Sequence, residues 1–206
     1  MIGRCNVGGG KSEGIYVWNK YTTQELEIVD WATGTDAQIV AMVNAADNGA
    51  IDLTDYWSVG DSRTVSLSAM AATGVGESHL AQDVTLVLMN AGGKTLTTAT
   101  SGGRVACSFI VGQKELLNYS ASTFESGYMN STATNSGGWS SSARRAWCNA
   151  VYYNAIPSTL RPIFKQFSNT TGVGGGATSG LRTTTDYFAL PAEKEVFGVC
   201  TYSFAD

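Results

Sequence analysis

Polar turn residues interrupt this sequence at short intervals, which limits the chain to short strands and helices. Alternating apolar residues predict strands over 63–67 and 83–89, and the turn sequence Asn-Ala-Gly-Gly at 90–93 ends the second of them. Further strands are predicted over 105–111, 165–171 and 183–190, with glycine-rich loops between them. Two more short strands within 14–31 predict a hairpin or an attachment arm.

Two principal helices stand among these strands. Thr35 followed by Gln38 forms a capping box, apolar residues at 39, 42, 43 and 46 share one face, and Gly49 follows the last turn. These signals predict a helix over 35–48. A second helix is predicted over 143–155, capped by Ser141 or Ser142, and shorter helices over 159–164 and 192–197. The fold class that follows is α+β, with short strands and two principal helices.

The surface of this chain is polar without being charged. Charged residues make up only 15% of the 206 residues, against about 25% in a typical soluble domain, and Gly, Ser, Thr and Asn take their place. Such a surface suits an adhesin more than a cytosolic enzyme. The net charge of −4 and the absence of clustered Lys and Arg argue against nucleic acid as a partner and against a polybasic membrane signal.

The length suits one domain with an appendage, or two small domains. We expect a flexible lead and an N-terminal arm or hairpin over 1–32, followed by one α+β domain over 33–206. No apolar run reaches the roughly 18 residues that a membrane span needs, and residues 1–11 are glycine-rich where a signal peptide is apolar. We therefore expect no membrane insertion and no signal peptide.

A surface composition typical of extracellular proteins, in a sequence without an export signal, is expected of phage virion proteins. Such proteins assemble in the cytoplasm of the host and leave it by lysis. A cytosolic protein, or a fragment without its leader, would fit the same observations equally well.

The four cysteines, Cys5, Cys107, Cys148 and Cys200, are too widely spaced to indicate a zinc or redox site. Cys107 and Cys148 lie in apolar surroundings, where cysteine acts as a small buried hydrophobe. A bridge between Cys5 and Cys200 stays open.

Catalytic constellations are weak in this sequence. His79 is the only histidine, so any Ser/His/Asp or Cys/His mechanism would need it, and its place before a strand favours a structural hydrogen bond. Carboxylates at 52, 55, 61 and 77 could pair as in a glycosidase, but the spacing of Asp52 and Asp55 is typical of turn and cap chemistry. The stretch 8–12 (GGGKS) lacks the first glycine of a phosphate-binding loop, since Cys5 stands at that position. We expect no catalytic residue, no metal and no cofactor.

One group of aromatic and amide residues is typical of a ligand-binding site. Sugar and protein recognition both use aromatic faces beside amide groups. The alternative is that Trp139 and Tyr152 fill the core. The candidate ligand-binding residues are Tyr128, Asn130, Asn135, Trp139, Tyr152 and Tyr153.

The stretch 56–65 (YWSVGDSRTV) resembles the opening of a domain-of-unknown-function family found in phage tail proteins, prophage proteins and surface proteins of gut-type Gram-positive bacteria. Six further blocks follow in order, so that the resemblance covers about residues 56–198. They are GYMNST at 127–132, GGW at 137–139, SARR at 142–145, IP at 156–157, TDYFAL at 185–190 and EKEVFG at 193–198. The stretch 16–20 (YVWNK) looks like the N-terminal arm of such tail proteins.

This resemblance implies a C-type-lectin-like α+β domain used for display and binding. The relatives are similar to the variable receptor-binding proteins associated with diversity-generating retroelements. Such domains build their ligand face with a further C-terminal segment rich in Trp, Ser and Tyr. Because this sequence ends at Asp206, soon after Gly198, we expect that segment to be missing or to come from another chain.

The resulting hypothesis is a non-enzymatic phage or prophage tail-associated protein, structural or receptor-binding, located in the virion. Its expected partners are other tail subunits or further copies of itself in a homo-oligomer, and a host-surface glycan or protein. The alternative is a bacterial cell-surface carbohydrate-binding or adhesin domain with no virion role. A third interpretation, an enzyme related to the formylglycine-generating oxidases, needs a close cysteine pair that Cys107 and Cys148 do not indicate.

Overall fold

The computed structural model describes residues 15–18, 23–71, 78–92, 94–97, 108–114, 129–130, 134–175 and 180–190, with side chains from Leu26 onward. The architecture is mixed α/β, as the sequence predicts. The chain divides into two compact units, each made of three separate stretches. The first unit comprises Met1–Val65, Asp83–Glu115 and Ser158–Lys165, and the second comprises Ser66–Gln82, Leu116–Pro157 and Gln166–Asp206.

Helix α1 of the first unit spans Asp36–Asp47, within the predicted range. The capping box is present, because the Thr35 hydroxyl accepts a hydrogen bond from the Gln38 backbone while the Gln38 amide oxygen accepts one from Thr35 N at 2.8 Å. Ile39 and Met42 are fully buried on one face. Gly49 follows with a φ of 71°, the left-handed conformation expected just past a helix.

Two sheets contain the first five strands. The hairpin predicted within 14–31 consists of β1 (Ile15–Trp18) and β2 (Thr23–Leu26), which pair antiparallel. The second sheet has the order β3-β4-β5 and is formed by Ser62–Leu67, Gln82–Ala91 and Phe109–Gln113. Strand β4 buries Val84, Leu86 and Leu88 in strict alternation, the pattern from which its sequence predicts a strand.

Tryptophans form the centre of the first unit. The Trp57 ring lies 5.4 Å from that of Trp31, and its Nε1 donates to the Val29 carbonyl at 2.9 Å. The guanidinium of Arg63 lies over the Trp31 ring and pairs with Asp36 at 2.9 Å. Burial lowers the pKa of Arg63, and the nearby charge of Asp36 opposes that shift. The ion pair between Arg63 and Asp36 thus ties β3 to α1.

The second unit contains the other helical segment and a hairpin. Helix α2 (Ala143–Trp147) continues through a π-helical turn at Cys148–Tyr152 into α3 (Tyr153–Ala155), which together fill the predicted range 143–155. Of the two predicted caps, Ser142 is the one used, since its hydroxyl accepts from Arg145 N at 3.0 Å. Strands β6 (Phe167–Gly172) and β7 (Leu181–Asp186) pair antiparallel.

Two predicted elements differ from the structure. The helix predicted over 159–164 is only a 3₁₀ turn at Arg161–Ile163, because Pro162 cannot donate the backbone hydrogen bond that a longer helix requires. The strand predicted over 183–190 ends at Asp186. The glycine-rich lead and the helix over 192–197 lie outside the described residues. Within the described ranges, no helix is both long and apolar enough to cross a bilayer.

Candidate functional site

The five candidate residues that the structure describes do not form one cluster. Tyr128 lies outside the described residues. The side chain of Asn130 accepts from Ala143 N at 3.1 Å and donates to the Thr134 carbonyl at 2.9 Å. The Asn135 side chain accepts from Gly175 N at 3.0 Å. Both asparagines therefore hold loops in place.

Trp139 serves the interior of the second unit. It is 5% exposed, and its Nε1 donates to Asp186 Oδ2 at 2.8 Å. The fully buried Asp186 also accepts from Arg145 Nε at 2.6 Å, from Thr184 Oγ1 at 2.6 Å and from Asn169 Nδ2 at 3.3 Å. A buried carboxylate is stable only when it is paired and hydrogen-bonded in this way. Trp139 is thus one of four donors to an internal charge.

Four aromatic side chains surround the end of the helical segment. The rings of Tyr153 and Tyr187 stack with centroids 4.1 Å apart and planes inclined by 16°. Phe188 meets Tyr152 edge-on at 5.1 Å and Tyr153 at 6.3 Å. All four are partly exposed. We call Tyr152, Tyr153, Tyr187 and Phe188 the aromatic ledge.

Tyr152 is the member of the aromatic ledge that lies beside a buried tryptophan. Its ring lies 6.1 Å from that of the buried Trp147. Burial raises the pKa of Tyr152, and interaction with Cys148 adds to the shift, so the phenol stays neutral well above pH 10. Tyr152 therefore anchors the ledge to the core.

Asn149 joins the two parts of the aromatic ledge, which are the helical residues 152–153 and the dipeptide 187–188. Its Oδ1 accepts from the backbone N–H groups of Tyr187 at 2.5 Å and Phe188 at 3.0 Å. Its Nδ2 donates to the carbonyls of Phe188 at 2.9 Å and Arg145 at 3.0 Å. The amide thus occupies all four of its usual hydrogen-bonding positions with backbone partners.

The π-helical turn contains both Asn149 and Tyr152. Such turns insert one extra residue into an α-helix and occur often at functional sites. The sequence predicts Tyr152 and Tyr153 as site residues but not Asn149, Tyr187 or Phe188. An asparagine inside a predicted helix is the one local signal for Asn149, because asparagine disfavours that position.

Two concave regions occur in the first unit. A polar cleft of about 540 Å³ is lined by residues that include Glu27, Asp30, Gln38 and Tyr56. A smaller, partly open pocket of about 60 Å³ lies among Trp31, Trp57, Phe109 and their neighbours. The residues of the aromatic ledge line neither of them.

The other candidates for chemistry have structural roles where they are described. His79 is buried, forms a β-bridge with Met70 and places its ring 5.5 Å from that of Trp147. Asp52 caps the turn at Leu53–Asp55 by accepting from Thr54 N. Over the described part of the chain, no three His, Cys, Asp or Glu residues come together as a metal site.

Comparison with known proteins gives no relative for this chain. No protein-family model matches it. No curated protein and no solved structure matches it significantly either.

Proposed function

We propose that this chain is a non-enzymatic recognition module of a phage or prophage tail. Its aromatic ledge contacts a host-surface glycan or protein. The observation that carries this proposal is the Tyr153–Tyr187 stack, which Asn149 holds through the backbone of Tyr187. Aromatic rings give a large contact area at a low cost in side-chain entropy, and a rigid surface loses less freedom when it binds.

The tail context is proposed from the family resemblance, and residues from three of its blocks meet in the fold. Trp139 lies in the block at 137–139, Arg145 in the block at 142–145 and Asp186 in the block at 185–190, and all three share one buried network. Residues that are far apart in sequence but belong to one resemblance thus build one structural feature. We propose a C-type-lectin-like domain as the finer description of the mixed α/β fold.

The proposed partners follow from the same assignment. The module would assemble with other tail subunits or with copies of itself, in the virion, and would present the aromatic ledge outward. The alternative is a bacterial surface adhesin, which would use the same ledge without a virion role. Mass spectrometry of purified virions separates the two, since a tail protein is present in them and an adhesin is absent.

The test of recognition is binding of the purified chain to host-envelope extracts. We expect a variant with Tyr153→Ala and Tyr187→Ala to lose binding at least about tenfold, because it removes two aromatic rings from the proposed contact surface. Tyr56→Ala, which removes a half-buried tyrosine from the first unit, is the matched control and should bind as the parent chain does. Equal binding by the folded double variant would show that the aromatic ledge is not the contact surface.

A further inference from the structure

We infer that Tyr153 and Tyr187 form a site of oxidative modification, where a one-electron oxidant acting with peroxide joins the two rings as an intramolecular dityrosine. The inference concerns the reactivity of the stacked pair itself, and it stands whether or not the proposed function does.

The two phenol rings lie in a geometry suited to coupling. Their centroids are 4.1 Å apart and their planes are inclined by 16°, so carbons of one ring lie over carbons of the other. In a phenoxyl radical the unpaired electron resides in part on the ring carbons ortho to the oxygen, and these are the carbons that couple. Because the two rings are already in contact, coupling is a reaction within one molecule and needs no encounter between molecules.

The backbone keeps this pair together. Tyr153 begins α3, and Tyr187 directly follows β7. The side chain of Asn149 accepts a hydrogen bond from the N–H of Tyr187 and donates one to the carbonyl of Arg145 in the helical segment. A radical on either ring therefore meets its partner without a rearrangement of the chain.

The reaction balances with a peroxide as the oxidant. Each phenol gives up one electron and its hydroxyl proton and becomes a phenoxyl radical. The two radicals form one bond between ortho carbons, and the hydrogens on those carbons move to the two oxygens, which restores both phenol rings. In sum, two tyrosines and one hydrogen peroxide give one dityrosine and two waters. Both side chains are partly exposed, so an oxidant in solution can reach them.

Tyr152 provides an internal comparison for this chemistry. It adjoins Tyr153 in the sequence, but its ring meets Phe188 edge-on and lies 6.1 Å from the ring of Trp147. Neither of these two neighbours carries a phenol with which a Tyr152 radical could form dityrosine. The stack therefore predicts that coupling selects Tyr153 over the tyrosine beside it.

The experiment oxidises the purified full chain with hydrogen peroxide and a haem peroxidase and maps the product by mass spectrometry. We expect the monomer to lose the mass of two hydrogen atoms and to gain the fluorescence of dityrosine. Trypsin should then release residues 146–165, which contain Tyr153, linked to residues 183–194, which contain Tyr187. Tyr153→Phe and Tyr187→Phe should each abolish the linked pair, whereas Tyr152→Phe and the first-unit control Tyr56→Phe should retain it.

A second readout is thermal stability. The cross-link closes the chain between residues 153 and 187 into a covalent loop and so restricts the unfolded chain, as a disulfide does. We expect the cross-linked monomer to melt about 5–10 °C higher than the untreated chain. Tyr187→Phe, treated in the same way, should show no such increase.

Three results would overturn the inference. The first is the absence of the linked peptides from the oxidised, folded parent chain. The second is their persistence in folded Tyr153→Phe, which would assign the link to Tyr152. The third is a product made of covalent dimers whose yield rises with protein concentration, since coupling within the stack gives the same yield per chain at every concentration.

Discussion

At the scale of single residues, four hydrogen-bond donors converge on the carboxylate of Asp186. The indole of Trp139 and the guanidinium of Arg145 come from the helical side, while Asn169 and Thr184 come from the hairpin. The carboxylate thus ties the start of the helical segment to β6 and β7. Asn169 begins the sequence Asn-Thr-Thr, which is the acceptor pattern for N-glycosylation. Because Asn169 is buried and bonded to Asp186, a glycan there would break the network.

Asp186→Asn should destabilise the chain by about 2–4 kcal/mol. The change leaves Arg145 without its ion pair and places amide hydrogens against donors, and breaking a buried pair typically costs about 3–5 kcal/mol. Because Arg145 is 29% exposed, water recovers part of that loss. Urea denaturation measures the effect, and Asp83→Asn at an exposed position of β4 is the control. Equal midpoints for the two variants would contradict the role given to Asp186.

Tyr152→Phe should change how stability depends on pH above about 10. Burial raises the pKa of Tyr152 in the folded chain above the unfolded value of about 10. The unfolded chain therefore loses this proton first, and stability falls as the pH rises from about 10 towards the raised pKa. Phenylalanine has no proton to lose, so the melting temperature of the variant should fall less steeply between pH 10 and 11.5. Parallel curves for variant and parent would refute this account.

At the scale of elements, the 3₁₀ turn Trp139–Ser141 approaches the hairpin so closely that only glycine fits before it. Gly138 has a φ of 58°, and a Cβ there would lie 2.0 Å from the Gly172 carbonyl oxygen at the end of β6. The backbone contact permits no relief by side-chain movement. This close approach brings Trp139 within reach of Asp186.

Gly138→Ala should therefore destabilise the chain by more than about 2 kcal/mol, as the sum of backbone strain and a steric clash. Gly49→Ala is the matched control, because Gly49 also has a positive φ, 71°, but nothing lies within 4 Å of its added Cβ. We expect that control to cost only about 1 kcal/mol. Thermal melts of both variants give the comparison, and a smaller loss at 138 than at 49 would contradict it.

The elements that the sequence predicts well are those with local signals. The capping box of Thr35 and Gln38 places the start of α1, and alternation alone places β4. The end of β7 could not be predicted, because Tyr187 N and Phe188 N bond to Asn149, 38 and 39 positions away. The π-helical turn was missed because one inserted residue barely changes the apolar pattern of a helix.

The residues of the candidate site also divide into those that the local sequence predicts and those that depend on distant contacts. Tyr152 and Tyr153 stand out in the sequence as aromatics beside amides, and both belong to the aromatic ledge. The role of Trp139 depends on its hydrogen bond to Asp186, which lies 47 positions away. The local sequence therefore does not show whether this indole is exposed or buried. The sequence shows where aromatic residues stand, but only the folded contacts separate buried aromatics from partly exposed ones.

At the scale of the whole molecule, we expect copies of the chain to associate. Leu181 and Leu190 in the second unit are 58% and 55% exposed, and a second copy of the chain that covered them would remove apolar area from water. Light scattering should give a mass that is a multiple of 21.7 kDa. Leu181→Lys with Leu190→Lys should lower that mass. A monomer at every concentration would show that this chain does not assemble with itself.

The interleaving of the two units has a consequence for synthesis on the ribosome. The first unit includes Ser158–Lys165, where Thr159 bonds to Asp36 and Lys165 pairs with Asp47 at 3.3 Å. A nascent chain therefore cannot complete that unit until Lys165 has left the exit tunnel, although more than half of its residues emerged long before. Contacts between residues so distant in sequence form slowly. Until then the apolar residues around Trp31 stay exposed, and chaperones can bind them. A message cut short before the codon for Lys165 gives a chain in which neither unit is complete.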